Sequence, residues 1–388
     1  MIKRIMLSFF LIACLLSIAQ NLQAWTTTRL TWSANYSITP VMAVDSSKNL
    51  YVFYPDETPG NYEIYFKKST DTGTTWTTKR MTWNPGMSQW PSAAIDTNDD
   101  IHLVWSDASP GNYEIFYKKS TDGGSTWWTK RLSITAEYSL SPVIVTDSNN
   151  YIHVVWYDIT PGNNEIFYAT STDNGSTWSS KRLTWNQGGS VSPAITVDSN
   201  DIIHMVWNDD SSGNYEIYYR TSTDFGTTWS ATKRMTWNSG ASIYPKITTD
   251  LSDNIHIVWD DSSFGNSEIF YKMSTDSGAT WTANRLTWNP GVSQFPRITS
   301  GFKNIIHVVW SDKTPGNNEI YYKWSSDGGM TWTTERLTWN PGESSWPFVL
   351  THTTEIIVPT KILFAAYRVH VLWHDKSPGN YEIFHKFK

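Results

Sequence analysis

Short apolar runs alternate with polar turns along most of the chain. In residues 88–134 the runs cover 92–96, 101–105, 113–118 and 126–132, and Val, Ile, Tyr, Trp and Thr dominate them. Gly, Asn, Asp and Pro stand between the runs, which is typical of turns between strands. No stretch of this region has the apolar period of a helix. The pattern predicts an all-β protein whose repeated segment holds four strands.

The four-strand pattern recurs about every 51 residues. One arginine marks the same place in every copy, at Arg29, Arg80, Arg131, Arg182, Arg234, Arg285 and Arg336. Four-stranded units at this spacing predict a β-propeller, since each unit buries its apolar surface only against its neighbours. We predict one domain over residues 25–388, a seven-bladed β-propeller of four-stranded antiparallel blades. Its repeats cover about 37–83, 88–134, 139–185, 190–237, 242–288, 293–339 and 344–388.

The two ends of the repeated region complement each other. A proline marks the first strand of each copy, at Pro40, Pro91, Pro142, Pro193, Pro245, Pro296 and Pro347. The last copy stops at Lys388, after its third strand, whereas residues 25–32 match a fourth strand. We therefore predict that 25–32 completes the last blade and closes the ring, which removes two exposed sheet edges.

Residues 1–24 have the pattern of a signal peptide. Lys3 and Arg4 precede an apolar run, 5–18, that is too short to span a membrane, and small residues follow it. We expect a secreted protein, extracellular or periplasmic, with no transmembrane span. Cys14 is the only cysteine, and the alternative is a lipid anchor through it at the cell surface.

Composition narrows the classes of partner and cofactor. The formal net charge is −6 and no Lys/Arg run follows the signal segment, so we expect no nucleic-acid partner. A histidine recurs at one place in six copies, with Tyr51 in the first, which spreads these side chains round the ring, whereas a zinc ion needs several at one point. The Asp/Asn-rich turns, such as 96–100, leave calcium open, although they lack the Gly and Glu of an EF-hand loop. We expect no metal, no cofactor and a monomer.

An octapeptide of the form Ser-x-Asp-x-Gly-x-Thr-Trp lies between the third and fourth strands of six copies. It resembles the Asp box, the bacterial neuraminidase repeat (BNR) of the sialidase superfamily. The resemblance implies a propeller whose boxes are structural turns, on the face away from the active site. The turn residues it designates are Asp71, Asp122, Asp173, Asp224, Asp276 and Asp327.

The resemblance does not extend to the catalytic motifs of sialidases. No Arg-Ile-Pro is present, and the nearest string is Phe295-Pro-Arg297-Ile298. Apart from the repeated arginine, the chain after the signal segment holds only Arg220, Arg297 and Arg368. The sequence therefore shows the repeat of that family without its catalytic set.

Two repeated polar motifs fall on the face opposite the boxes. The first, Asp-x-x-x-Gly-Asn-x-Glu, is represented by Asp107 and Asn112, and it predicts either a hairpin turn or a shallow sugar pocket. In the second, Trp-Asn-x-Gly, the indole either wedges between blades or stacks on a sugar while the amide binds hydroxyls. The residues of this motif are Trp83, Asn84, Trp185, Asn186, Trp237, Asn238, Trp288, Asn289, Trp339 and Asn340.

Departures from the repeat predict another kind of site. Glu137, Tyr138, Lys246 and Arg297 break the pattern and could face one central depression. Such a group suits a sialidase-like hydrolase or a polysaccharide lyase acting on an acidic sugar, although drift between copies explains the same differences. From the repeat as a whole we predict non-catalytic, multivalent glycan binding. The alternatives are this hydrolase or lyase, and an extracellular protein-interaction scaffold.

Overall fold

The computed structural model of the protein describes residues 24–358 and 361–388. Its regular structure is almost entirely β, in seven four-stranded sheets. The predicted signal segment, with Cys14, lies outside the described residues apart from Ala24. Within the described ranges, no helix has the length and apolar character needed to cross a membrane.

Strands follow chain order across each sheet, except that the first strand, β1 (Thr26–Arg29), joins the last blade. Blade 1 holds β2 (Val41–Val44), β3 (Leu50–Asp56), β4 (Glu63–Ser69) and β5 (Thr77–Arg80). Blade 2 holds β6 (Ser88–Ile95), β7 (Ile101–Asp107), β8 (Glu114–Ser120) and β9 (Trp128–Arg131). Blade 3 holds β10 (Ser139–Thr146), β11 (Ile152–Asp158), β12 (Glu165–Ser171) and β13 (Ser179–Arg182).

The remaining blades repeat this order. Blade 4 holds β14 (Ser190–Val197), β15 (Ile203–Asp209), β16 (Glu216–Ser222) and β17 (Lys233–Arg234). Blade 5 holds β18 (Ser242–Thr249), β19 (Ile255–Asp261), β20 (Glu268–Ser274) and β21 (Thr282–Arg285). Blade 6 holds β22 (Ser293–Ser300), a 3₁₀ turn (Phe302–Asn304), β23 (Ile306–Asp312), β24 (Glu319–Ser325) and β25 (Thr333–Arg336). Blade 7 holds β26 (Ser344–Val358), β27 (Lys361–Asp375), β28 (Glu382–Phe387) and β1.

The ring closes where the two ends of the chain meet. β1 pairs antiparallel with β28, with Thr26 opposite Phe387 and Arg29 opposite Phe384. The first strands of successive blades touch one another round the ring, and β2 of blade 1 contacts β26 of blade 7. The predicted seven-bladed propeller, closed by the segment 25–32, is confirmed.

The hydrophobic core lies between the blades. Seven buried apolar clusters in the described ranges each combine residues of two neighbouring blades. Between blades 4 and 5, Tyr219 and Met235 pack with Ile247, Ile257 and Trp259. Because apolar burial is the main favourable term in folding, no blade is stable without its neighbours.

A β-bulge opens the innermost strand of each of blades 2 to 7. In blade 2, β6 begins at Ser88 rather than at the predicted residue 92, and its pairing with β7 shifts register between Gln89 and Ser92. The residue before the marker proline, Trp90, has a φ of 53°. A bulge bends the strand and re-aims a side chain, here towards the ring centre. The equivalent positive-φ residues are Thr39, Ser141, Ser192, Tyr244, Phe295 and Trp346.

Blade 7 departs from the other blades at one end. β26 and β27 have 15 residues each, so they are longer than the first and second strands of the other blades. The ends at which the first strand of the blade meets the second lie on the same face of the ring as the Asp boxes. These longer ends are therefore remote from the opposite face, where Glu137, Lys246 and Arg297 lie.

Candidate functional site

The Asp boxes are self-contained turns on one face of the ring, the box face. Asp71 accepts hydrogen bonds from the hydroxyls of Ser69 and Thr75, at 2.7 and 2.6 Å, and from the Thr75 backbone N–H at 2.8 Å. These bonds hold the pKa of Asp71 at about 2. The Trp76 ring meets the His385 ring of the preceding blade edge-on, at 5.8 Å. The same Asp-to-Thr bonds recur at Asp122, Asp173, Asp224, Asp276 and Asp327.

The repeated Asp and Asn side chains of the opposite face, the loop face, are engaged with one another. Asp107 is fully buried and accepts hydrogen bonds from the Asn84 amide at 2.7 Å and the Trp105 indole at 2.8 Å. The Asn112 amide donates to the Thr135 carbonyl at 3.2 Å. The amides that donate to the equivalent aspartates belong to Asn186, Asn238, Asn289 and Asn340. These hydrogen bonds hold the loops together and occupy an N–H of each amide.

The tryptophans of the Trp-Asn motif lie exposed on the loop face, after the outermost strand of each blade. Between 64% and 68% of each residue is accessible at Trp83, Trp185, Trp237, Trp288 and Trp339. The alternative in which they wedge between blades is therefore wrong. Trp32 takes the same place after β1, and Ile134 replaces the indole after β9. We call this ring of positions the rim: Trp32, Trp83, Ile134, Trp185, Trp237, Trp288 and Trp339.

A pocket of about 600 Å³ opens at the ring centre on the loop face. The bulge residues that line it differ between blades. Blades 1, 3 and 4 contribute the small side chains of Thr39, Ser141 and Ser192, whereas blade 2 contributes Trp90. Blades 5 and 7 contribute Tyr244 and Trp346, and Phe295 of blade 6 stacks on Trp346 at 4.0 Å. We call Tyr244, Phe295 and Trp346 the aromatic wall.

Two cations line the pocket beside the aromatic wall. Lys246 and Arg297 follow the marker proline in β18 and β22, where the other copies have Val, Ser, Ala or Phe. Neither forms an ion pair within 4.0 Å in the part of the chain that the structure describes. Burial, together with the neighbouring Arg297 charge, lowers the pKa of Lys246 well below its ordinary value. Burial also lowers the pKa of Arg297, to about 10.

A buried carboxyl group lies close behind the aromatic wall. Asp260 in β19 accepts a hydrogen bond from the Phe295 backbone N–H at 3.3 Å, and its other oxygen has no partner among the described residues. Burial raises the pKa of Asp260 to about 8. At neutral pH the carboxyl is therefore mostly protonated, so it leaves the charge of the Arg297 guanidinium largely uncompensated.

The four residues predicted to face one central depression lie in two separate places. Lys246 and Arg297 line the pocket, whereas Glu137 and Tyr138 lie exposed in the connection between blades 2 and 3. The Tyr138 ring packs against Tyr113 at 6.0 Å instead of facing the ring centre. The predicted common depression therefore gathers two of these four side chains.

The spare arginines do not converge. Arg220 lies in the third strand of blade 4 and donates to the Leu183 carbonyl at 2.8 Å. Arg368 lies in β27, with its guanidinium 5.4 Å from the Phe387 ring centre. Of the three, only Arg297 lines the pocket. An arginine triad is therefore not assembled from these residues.

The repeated histidine belongs to the core. His102 is fully buried, with Nδ1 2.8 Å from the Tyr117 hydroxyl and Nε2 3.3 Å from the Asp96 carboxylate. Within the described ranges, no three His, Cys, Asp or Glu side chains converge as metal ligands.

Sequence reasoning missed the aromatic wall and Asp260, although both leave a signal. The residue before the marker proline is aromatic in four copies and small in three. The residue before the second-strand aspartate of each loop-face motif is Pro, Ser, Tyr, Asn, Asp, Ser and His in blades 1 to 7. Comparing the copies position by position would have drawn attention to blades 5 to 7.

The chain matches known proteins in sequence and in fold. Residues 191–362 match the family described as "BNR repeat-containing family member". The chain is a β-propeller, and a BNR-repeat family matches 172 of its 388 residues. A xyloglucanase of Acetivibrio thermocellus is 35% identical to this propeller over 132 residues, which are 29% of this chain and only 15% of that protein's length.

Two solved structures show how widely the fold of this propeller is shared. A polysaccharide lyase of family PL25, an ulvan lyase bound to -[GlcA(1-4)Rha3S]-, has a TM-score of 0.63 at 11% identity, over 92% of this chain and 95% of its own. A Hadza microbial sialidase has a TM-score of 0.51 at 15% identity, over 79% of this chain and 66% of its own. At these identities the likeness shows the fold alone.

Proposed function

We propose that the protein binds an acidic polysaccharide on its loop face, with one acidic sugar unit in the central pocket. The observation that carries this proposal is the pair Lys246 and Arg297. The two cations have no carboxylate within 4.0 Å in the described part of the chain, although the protein has a net charge of −6. Desolvating charges without a partner is costly, and an anionic ligand would supply the missing counter-charge.

The lining of the pocket fits a uronate or a sulfated sugar. A guanidinium binds a carboxylate or sulfate through two parallel hydrogen bonds, and a lysine ammonium adds a point charge. The rings of Tyr244 and Trp346 offer flat apolar faces to sugar C–H groups. The similar proteins, a xyloglucanase, an ulvan lyase and a sialidase, support a carbohydrate ligand. A polysaccharide also agrees with the export predicted from residues 1–24.

The test compares one oligosaccharide with and without its charge. A glucuronate-containing tetrasaccharide and the same molecule with its carboxyl groups reduced to alcohols are titrated by calorimetry. We expect the charged form to bind at least 10-fold tighter, and Lys246→Met or Arg297→Met to remove most of that difference. Lys313→Met, an exposed lysine on the same face outside the pocket, is the matched control. Equal affinity for both ligands would contradict the proposal.

The pH dependence of binding gives an independent test. Below pH 8 the Asp260 carboxyl is mostly neutral, because burial raises its pKa to about 8. Above that pH it becomes an anion behind the wall and opposes a second anion in the pocket. We expect affinity for the charged tetrasaccharide to fall as pH rises through 8, and Asp260→Asn to flatten this dependence. A profile that Asp260→Asn leaves unchanged would contradict the assignment.

Cleavage by β-elimination is a second candidate, favoured by the lowered pKa of Lys246 beside Arg297. An unprotonated Lys246 amine would take the proton at C5 of a uronate whose carboxylate Arg297 binds. The C4–O bond would then break, and the leaving oxygen would take a proton, for which the phenols of Tyr157 and Tyr244 line the pocket. An ultraviolet-absorbing unsaturated uronate would identify a lyase, and reducing ends without it a hydrolase. Saturated binding without product would support the non-catalytic function.

A further inference from the structure

We infer that the rim is a second carbohydrate-binding surface, which takes neutral sugar rings on six preorganised indoles. It is separate from the central pocket, because no rim residue lines that pocket. The fold does not require an indole at these positions. Ile134 occupies one of them, 81% exposed, and blade 2 keeps the same four strands. The six exposed indoles therefore need an explanation other than packing.

Each rim indole is held from one side by a fixed arginine. Arg80, three residues before Trp83, places its guanidinium 5.7 Å from the indole centre. The guanidinium is itself fixed, because it bonds the buried Glu63 carboxylate at 3.0 Å and the Thr82 carbonyl at 2.6 Å. The other five indoles have the same arginine at 5.5–5.8 Å, over Trp32, Trp185, Trp237, Trp288 and Trp339. An indole fixed in this way loses little conformational entropy on binding.

The rim indoles of blades 4 to 6, Trp237, Trp288 and Trp339, have a second cation nearby. There a lysine from the next blade also approaches the indole, with Lys272 5.7 Å from the centre of Trp237. Lys323 and Lys386 stand in the same relation to Trp288 and Trp339, at 6.0 and 5.5 Å. Beside Trp288 a further exposed ring, Phe264, lies 4.8 Å from the Arg285 guanidinium. This arc lies on the same side of the ring as the aromatic wall of the pocket.

The chemistry of the rim selects a neutral sugar rather than an anion. The rim arginines are already paired with buried glutamates, as Arg234 is with Glu216 at 2.8 Å. The lysines donate to main-chain carbonyls, as Lys386 does to Leu337 at 2.6 Å. What remains open is an apolar ring face, and the C–H face of a pyranose matches it in size and polarity.

The spacing of the rim selects a polymer rather than a protein partner. Every blade except blade 2 presents one indole, and polar connections separate it from the next. A protein interface has a continuous desolvated centre, whereas a polysaccharide offers many separate rings. Each contact alone is weak, but several contacts to one chain raise the overall affinity through effective concentration. The ligand that fits is a neutral polysaccharide crossing several blades.

The experiment removes the three rim indoles of blades 4 to 6, and its control removes an exposed indole outside the rim. Affinity electrophoresis with xyloglucan, β-1,4-mannan and arabinan is run on the full chain and on the triple variant Trp237→Ala, Trp288→Ala, Trp339→Ala. We expect at least one polysaccharide to retard the full chain, with a loss of 10-fold or more in the triple variant and about 2- to 3-fold in each single one. Trp128→Ala is the matched control, since this indole is also exposed and has Lys130 at 5.9 Å.

Three outcomes would overturn the inference. The first is that none of the three polysaccharides retards the full chain, and the second is that Trp128→Ala weakens binding as much as the triple variant. The third is that the full chain sediments as an oligomer and the triple variant as a monomer, which would make the rim an interface between copies. Lys246→Met should leave retardation by the neutral polysaccharides unchanged, so failure at the pocket and failure at the rim are distinguishable.

Discussion

Blades 5 and 7 fill the same three buried positions in different ways. In blade 5, His256 lies between a carboxylate and a phenol, with Nε2 3.2 Å from Asp250 and Nδ1 2.7 Å from Tyr271. Burial opposes ionisation of Asp250, but hydrogen bonds from His256 and from the neighbouring backbone lower its pKa overall. Both nitrogens of this buried imidazole therefore have partners.

Blade 7 places histidine at all three positions, His352, His370 and His385. The His370 Nδ1 lies 2.9 Å from the His385 Nε2, and the rings stack at 4.9 and 5.1 Å. Burial lowers the pKa of His385 to about 3. Burial also lowers the pKa of His352, to about 4, and the charges of Lys48 and Arg368 act in the same direction.

The repeat therefore specifies the shape of a blade, while the three buried polar side chains at these positions set the pH range in which the blade is stable. Blade 7 is also the blade whose outermost strand comes from the other end of the chain. Ring closure and the protonatable cluster thus lie in one sheet. We expect blade 7 to be the first to open.

Removing the closing strand should have the largest effect. Deletion of 25–32 exposes the edge of β28 and removes Leu30 from the cluster between blades 7 and 1. We expect loss of cooperative thermal unfolding, or aggregation, by calorimetry and light scattering. A chain lacking only residues 1–24 is the control. A truncated ring that melts like this control would show that closure contributes little.

Acid should have the next largest effect. The buried histidines are neutral in the folded state, with pKa values of about 3 and 4 for His385 and His352, and have a pKa near 6.5 when unfolded. Their contribution to stability is complete above pH 6.5. It is lost as pH falls from 6.5 towards these folded values, by about 1.4 kcal/mol per pH unit for each histidine. We expect the free energy of unfolding, measured in urea, to fall steeply between pH 6.5 and 4.

Converting blade 7 to the blade 5 pattern should weaken this acid response. The double variant His352→Asp, His385→Tyr gives His370 a carboxylate and a phenol. We expect a shallower loss of stability between pH 6.5 and 4, but not its disappearance, because His307 and His374 are also buried with pKa values of about 3. An unchanged slope would show that acid acts elsewhere in the ring.

Removing one side-chain hydrogen bond of His256 in blade 5 should have a smaller effect. Tyr271→Phe leaves the Nδ1 of His256 without its partner inside a sheet that is covalently continuous. Leaving a buried polar group unsatisfied costs about 1–3 kcal/mol. Urea unfolding at pH 7 measures this cost, and Tyr65→Phe, whose phenol is half-buried, is the control. No change in stability would mean that the phenol is dispensable.

The smallest effect should come from one Asp box. Asp71→Asn keeps the turn but weakens the bonds to the Thr75 backbone and hydroxyl. Because the turn is exposed and repeated five more times, we expect the Tm to fall by about 1–2 °C. With the Asp71 pKa at about 2, this contribution should be constant above pH 4. A decrease comparable to that of the strand deletion would show that one exposed turn contributes as much as ring closure.

Much of the fold could be read from the chain, because the repeat places each element by local rules. The marker proline, the box turn and the alternating apolar runs each depend on a few neighbouring residues. The start of β6 was missed by four residues, from 92 to 88, because a bulge keeps the strand paired across the proline. The candidate site was read less completely. Lys246 and Arg297 stood out as departures from the repeat, whereas Trp346 and Asp260 did not.

Period and local turn chemistry are enough to specify seven blades, the closing strand at 25–32 and the turns of the Asp boxes. Which departures from the repeat share a pocket depends on how the blades pack. Lys246 and Arg297 meet because the innermost strands of blades 5 and 6 converge on the ring centre, while Glu137 stays outside. The packing of the blades also leaves the rim indoles facing solvent, because their burial depends on where the outermost strand ends relative to the next blade.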